Sequence, residues 1–203
     1  MDTLELKNFV LGELFTNSYL IFDRETKKAI IIDVPYPCAQ LRKYIQGEDI
    51  EVLFIALTHA HFDHIGGLKE FSWPFYLHQN DLSLLNDADL NGSALFGSRI
   101  VIGREPLKYA AKPLHFDSYP IDVIHTPGHT PGSVSLKVGN WLFSGDTLFC
   151  DSIGRTDIPL ASQESLLQSI HEKICVLPED TVIYPGHGPS TTVGREKRYN
   201  PFL

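Results

Sequence analysis

Residues 52–64 read VLFIALTHAHFDH, an uninterrupted apolar run that passes directly into four potential metal ligands. A short continuous apolar run of this kind predicts a buried strand, and other layers must cover the sheet that holds it. The polar tail then lies where that strand ends and the next turn begins.

The rest of the chain fits a layered α/β plan. Near the N-terminus TLELKNFVL, SYLIF and KAIIIDV read as strands of a meander, with DRETKK as a polar hairpin connection. CAQLRKYIQG, residues 38–47, has helical spacing and ends in Gly47. After VLFIAL the pattern predicts a short helix in IGGLKEF, a strand in PFYL and a helix in QNDLSLLN. In the second half IDVIH, SVSLKV and WLFSG form another meander, with Gly139 and Asn140 as a tight turn. ASQESLLQSIHEKICVL predicts a helix that Ser162 can cap, and DTVIYP returns as a strand. Two strand-rich halves, each with helices, predict two sheets packed face to face with helices outside. This is one α/β (α+β) domain over residues 1–203, with its site where the halves meet. Residues 87–119 are weakly periodic and read as an irregular flap or a set of short elements that helps set specificity.

Composition narrows the function. The 203 residues, 43% apolar, suffice for a substantial core. Lys and Arg number 17 against 25 Asp and Glu, and the resulting charge of −8 repels polyanions, so nucleic acid is a poor partner. The opening MDTLELKNFVLGELF is acidic where a signal peptide needs basic residues, and no stretch is long enough to span a bilayer. Cys38, Cys150 and Cys175 have no CxxC spacing, which suits a reduced interior. The expectation is a cytoplasmic protein without a membrane partner, with Cys150 as a small buried hydrophobe.

His59 and His61 alternate by two at a strand end, so both rings can point to one side, while Asp63 and His64 open the next turn and point elsewhere. One loop can therefore feed two adjacent ions. A lone histidine after a strand is ordinarily a cap or surface residue. Four ligand-type residues between 59 and 64, flanked by a buried strand and by Gly66 and Gly67, indicate metal instead. TPGHTPGS holds His129 between two Pro-Gly turns, and YPGHGPS sets His187 between glycines. LFSGD ends an apolar strand with Asp146, whose burial is costly unless a cation relieves it; a helix cap is the plainer reading. Five histidines and two aspartates without thiolate suit Zn²⁺, and also Fe or Mn. Seven ligands are too many for one tetrahedral ion but suit two ions roughly 3.5–4 Å apart that share a carboxylate and a hydroxide. His78, His115, His125 and His171 read as cap, strand, loop and helix-face residues.

THAHFDH, TPGHTPGS, LFSGDTLF and YPGHGPSTT occur in the order in which the metallo-β-lactamase fold hydrolases carry them, and the resemblance runs from SYLIF to the terminal YNPFL. It implies an αββα four-layer sandwich. It also implies that His59, His61 and His129 hold one divalent ion, that Asp63, His64 and His187 hold a second, and that Asp146 bridges them. GDTLF, SIGRTD and GREKRYNPFL resemble the short glyoxalase II-like group, which implies hydrolysis of thioesters such as S-lactoylglutathione by a metal-bridging hydroxide. Asp63 would orient that nucleophile, Arg155 would lie near the glutathione moiety, and Asp33 would support the ligands. The C-terminal glutathione-gripping helical domain of longer members is expected to be absent. For Arg155 the plainer reading is an ion pair with a nearby carboxylate. GRTD also resembles the persulfide dioxygenases, which would use His59, His129 and Asp146 around a single Fe. A lactonase and a catalytically silent metal-binding module are further readings on the same scaffold.

Overall fold

The computed structural model describes residues 3–109 and 114–203. Its first sheet has the order β1-β2-β3-β4-β5-β6, built from Leu4–Leu11, Thr16–Asp23, Lys28–Ile32, Glu51–Ala56, Phe75–Leu77 and Leu107–Lys108. The first three strands are antiparallel, and β3 to β6 run parallel. The second sheet has the order β14-β13-β10-β9-β8-β7. Its strands are β7 Leu114–Phe116, β8 Tyr119–His125, β9 Val134–Val138, β10 Trp141–Gly145, β13 Val182–Pro185 and β14 Thr191–Thr192. Between them β11 Leu148–Phe149 and β12 Ser152–Ile153 form a small separate hairpin.

The side-chain period of two assigns the layers. In β2, Leu20 and Phe22 face one way and Tyr19 and Ile21 the other; in β3, Ala29 and Ile31 oppose Ile30 and Ile32. The first set packs against α1 Ala39–Gly47, through Leu41 and Ile45, and against α3 Leu82–Leu85, through Leu84 and Leu85. The second set meets Phe116, Ile121, Val134, Leu136 and Phe143 of the second sheet. That sheet's outer face, through Leu142 and Ile183, is covered by α4 Gln163–Ser169 and the π-helical turn Ile170–Ile174 that continues it. The layers are therefore helix, sheet, sheet, helix, the αββα sandwich that the resemblance implied.

Phe143 is fully buried between the sheets, with ring centroids 5.1 Å from Tyr19 and 5.3 Å from Tyr184. Phe143→Ala is expected to cost about 3–5 kcal/mol of stability, through lost transfer energy and the cavity left behind. Urea unfolding checks this, and a change below about 1 kcal/mol would mean that the inter-sheet core is not packed as described.

Several local expectations hold. Ser162 Oγ accepts from Ser165 N at the start of α4, and Gly139-Asn140 closes the β9–β10 hairpin. The described part of residues 87–119 is a set of short elements, the second of the two readings. Buried Asn91 donates to Leu84 O and Ile100 O and accepts from Ser93 N, which knits 84–100 into an ordered unit with a 3₁₀ turn at Ser93–Phe96. Residues 110–113 of that stretch lie outside the described residues. Cys150 is also corrected: it is partly exposed, with its thiol 3.3 Å from Arg195 and 3.7 Å from Asp151, because this segment anchors the terminal helix α5 Val193–Tyr199 through polar groups. Among the described residues, no helix is long and apolar enough to cross a membrane.

Candidate metal centre

β4 ends at Ala56, and the chain then crosses the end of the sandwich before the one-turn helix α2 Phe62–Ile65. His61 stands at the N-cap in extended conformation, so the rings of His59 and His61 come off irregular backbone while Asp63 and His64 come off helix. The β9-side loop brings His129, the end of β10 brings Asp146, and the end of β13 brings His187. All seven residues converge.

The donor atoms form two groups with a shared member. His61 Nδ1 lies 2.8 Å from His129 Nε2, and His59 completes that triad. Asp63 Oδ2 lies 3.5 Å from His64 Nε2 and 3.2 Å from His187 Nε2. Asp146 Oδ2 is 3.5 Å from both His129 Nε2 and His187 Nε2, one in each group. Nitrogen and oxygen ligands at about 2.0–2.2 Å on a tetrahedral ion are about 3.4 Å from each other, so most of these spacings suit a common cation.

Unpaired buried polar atoms point the same way. Among the described residues, four buried side-chain N or O atoms have no hydrogen-bond partner, and three of them are His59 Nε2, His64 Nε2 and Asp146 Oδ1. Orphaned buried polar groups are costly and rare. Their concentration here, aimed at one another, fits a cation.

In four of the five histidines the outer ring nitrogen is tied down. His64 Nδ1 is 2.7 Å from Asp33 Oδ2, His129 Nδ1 is 2.9 Å from Arg155 O, and His187 Nδ1 is 3.1 Å from Leu14 O. His59 Nδ1 is 3.1 Å from Thr58 Oγ1, whose hydroxyl donates to Asp33 Oδ2. These acceptors keep hydrogen on Nδ1 and leave Nε2 as the inward lone pair; His61 is turned the other way, with Nδ1 inward. Asp33 thus orients one histidine of each triad, the supporting role expected of it.

Sequence reasoning missed Asp81. This buried carboxylate accepts from Ala60 N, between His59 and His61, and from Thr130 Oγ1 and Gly132 N, beside His129. It clamps the two loops of the three-histidine triad. Burial raises its pKa to about 6 against the pull of these donors. Nothing in QNDLSLLN distinguishes it from a helix-start aspartate. The side chain of Arg155 is 66% exposed and pairs with Asp157 at 2.8 Å, the ion pair that was the plainer reading, while its carbonyl accepts from His129 Nδ1. His78 and His125 stack on each other outside the cluster, and His115 and His171 are exposed.

Residues 11–187 match the family profile described as the metallo-beta-lactamase superfamily. The chain belongs to that superfamily. It is 39% identical to the probable metallo-hydrolase YqgX of Bacillus subtilis (strain 168), over 98% of each chain. It is 34% identical to the hydroxyacylglutathione hydrolase GloC of Haemophilus influenzae, over 92% of each. The crystal structure of BLEG-1 B3 metallo-beta-lactamase superposes with a TM-score of 0.92 at 43% identity, covering 98% of this chain and 99% of that one. TTHA1623 in a di-iron-bound form gives 0.82 at 36%, covering 97% and 100%. As a member of a metallo-hydrolase superfamily, the chain carries a histidine–aspartate cluster able to hold metal.

The two triads carry protons differently without metal. Burial pushes the pKa values of His59, His61 and His129 down, His61 to about 3, so these rings are neutral at pH 7. Burial opposes charge on His64 and His187 as well, but the surrounding carboxylates outweigh it. Asp63, Asp33 and Asp146 lift His64 well above the usual range, and bonds to Asp146 and Asp63 lift His187 to about 9. A cation entering the second triad must displace those protons. Its apparent affinity is expected to climb with pH, about tenfold per unit for each proton displaced, with the His187 part levelling off above its pKa. The three-histidine triad should stay flat near neutral pH. Calorimetry in buffers of different ionisation heat counts the released protons, and equal pH independence at both sites would contradict this.

Proposed function

We propose that this protein is a binuclear metal-dependent hydrolase of acyl thioesters. The observation that carries the reading is Asp146 Oδ2, equidistant at 3.5 Å from one histidine of each triad, which supports reading it as a carboxylate shared by two cation sites. His59, His61 and His129 would hold one ion, Asp63, His64 and His187 the other, and Zn²⁺, Fe or Mn suit such donors. Two bound cations supply Lewis acidity, lowering the pKa of water and polarising a carbonyl oxygen.

The chain's own groups then position the reaction. Burial opposes the charge of Asp63, but His64 and His187 hold its pKa at about 2, so it is ionised and can accept a proton-bearing partner. Thr16 Oγ1 donates to Asp63 Oδ2 at 2.8 Å and restrains that oxygen, which leaves Oδ1 to orient an incoming water. A thiolate is an easy leaving group, so no dedicated acid is needed to expel it.

The thioester part of the reading is supported by GloC, a hydroxyacylglutathione hydrolase by name, with similarity over nearly all of both chains. The likeness to BLEG-1, a B3 metallo-beta-lactamase, supports a second reading, hydrolysis of a β-lactam amide at the same centre. The test is S-lactoylglutathione and a cephalosporin assayed side by side, with elemental analysis of protein purified without added metal. Two ions per chain and chelator-sensitive thioester turnover support the proposal. A single iron with oxygen uptake on glutathione persulfide would replace it with a dioxygenase, and turnover of the β-lactam alone would favour the second reading.

A further inference from the structure

A cavity of about 530 Å³ opens directly beside the second triad, and Asp63 belongs to both. Its walls are apolar: Leu14 from the β1–β2 turn, Tyr36 from the loop after β3, Phe62 from α2, and Phe96 and Ile100 from the segment that Asn91 orders. Phe62 and Phe96 pack with ring centroids 4.8 Å apart and planes tilted by 38°. Phe96 is nevertheless 52% exposed and Tyr36 61%, so the inner part of an apolar wall faces open space at the mouth of a polar centre. The charges on the lining besides Asp63 are Glu13 and Lys69, one of each sign, and neither has an ion pair among the described residues.

We propose that this cavity is the acyl pocket, and that the protein's substrates are thioesters of aromatic or branched aliphatic acids larger and less polar than lactate. This rests on the thioester reading above. In the reaction, water adds to the acyl carbon, the C–S bond breaks, and the thiol leaves with a proton. The reacting carbon must lie at the cluster, so one arm of the substrate extends past Asp63 into the cavity. Thiol carriers are generally polar and often anionic, and an apolar wall with opposing charges at its rim does not compensate their desolvation. An apolar acyl group gains from the same wall, and a cavity of this size is within the usual range for small-molecule sites. The segment carrying Phe96 and Ile100 is therefore the specificity-determining part of the fold, held to shape by Asn91 from behind.

The test uses metal-loaded protein and two thioesters of one small neutral thiol, N-acetylcysteamine, carrying acetyl or 3-phenylpropanoyl groups. The wild-type kcat/KM ratio of the aromatic to the acetyl ester is expected to be at least about tenfold, as even one methylene in an apolar pocket can confer. Phe96→Ser removes a wall and Ser98→Trp fills the space; each should lower that ratio several-fold, and a general loss of activity does not move a ratio. A ratio near one, a ratio unaltered in both variants, or selectivity that follows the thiol rather than the acyl group overturns the pocket while leaving thioester hydrolysis intact. Calorimetric binding of 3-phenylpropionate against acetate gives a separate answer. Preference for the aromatic acid, lost in Phe96→Ser, upholds the apolar pocket even if no thioester turns over, whereas equal binding overturns it.

Discussion

Asp146→Asn is expected to abolish binding of at least one of two metal ions and to lower turnover by at least about 100-fold, since even groups that only support a ligand cost about 10–100-fold when lost. The substitution preserves shape and removes one negative charge. Asp146 stands within 3.5 Å of His64, His129 and His187, and its pKa is held far below the carboxylate range: burial opposes the charge, but His64 and His187 outweigh it. The asparagine amide presents N–H groups where a lone pair is required. A second readout separates this account from simple misfolding. In the metal-free variant His187 loses one of the two carboxylates that lift its pKa to about 9, so its titration should move toward the ordinary histidine range. Metal analysis and the His187 titration by NMR check both parts. Full metal content with unchanged turnover would remove the shared-carboxylate argument.

Asp33→Ala is the second large effect. Asp33 Oδ1 accepts from Thr58 N at 2.8 Å, and Oδ2 accepts from Thr58 Oγ1 and His64 Nδ1, each at 2.7 Å. Removing the carboxylate strands three buried donors, each costing about 1–3 kcal/mol if no water replaces it. His64 loses its orienting partner outright, and His59 loses the anchor of its Thr58 contact. Affinity at both cation sites is expected to fall about 10–100-fold. Asp33→Asn should be nearly as damaging, because its amide can satisfy only some of these donors and aims N–H groups at the rest. Titration with Co²⁺ reads both sites by absorbance; loss at one site alone would show that the Thr58 relay to His59 carries nothing.

The large elements were legible because burial writes a period into the chain. KAIIIDV and VLFIAL read as buried strands because opposite faces of each serve different layers, Ile31 toward the helices and Ile30 and Ile32 toward the other sheet. The seven cluster residues were legible because five of the chain's nine histidines lie among them and each falls in a short segment that joins two strands. Strands such as β11, β12 and β14 are two residues long, too short to display any period. Helix α5 is docked by Glu196, which accepts from Thr191 and Asp151, a polar attachment that no apolar spacing announces. Arg155 acts through its backbone carbonyl and Asp81 through backbone amides of distant loops, so neither role depends on anything visible near it in sequence. The apolar cavity is assembled from four separated segments and is legible only once they meet.

Glycines mark how little room the centre leaves. A Cβ on Gly186 would overlap Asp146 Oδ1 and come within 2.7 Å of His64 Cε1. The backbone of the His187 loop therefore touches the cluster itself, and ligand geometry is set by packing as much as by hydrogen bonds.

The most direct measurement is thioester turnover as metal is returned to chelator-stripped protein in known equivalents. A binuclear centre predicts that activity stays low below one equivalent, rises between one and two, and reaches its plateau at two per chain. Full thioester hydrolysis at one equivalent, or undiminished hydrolysis by the stripped protein, would contradict it.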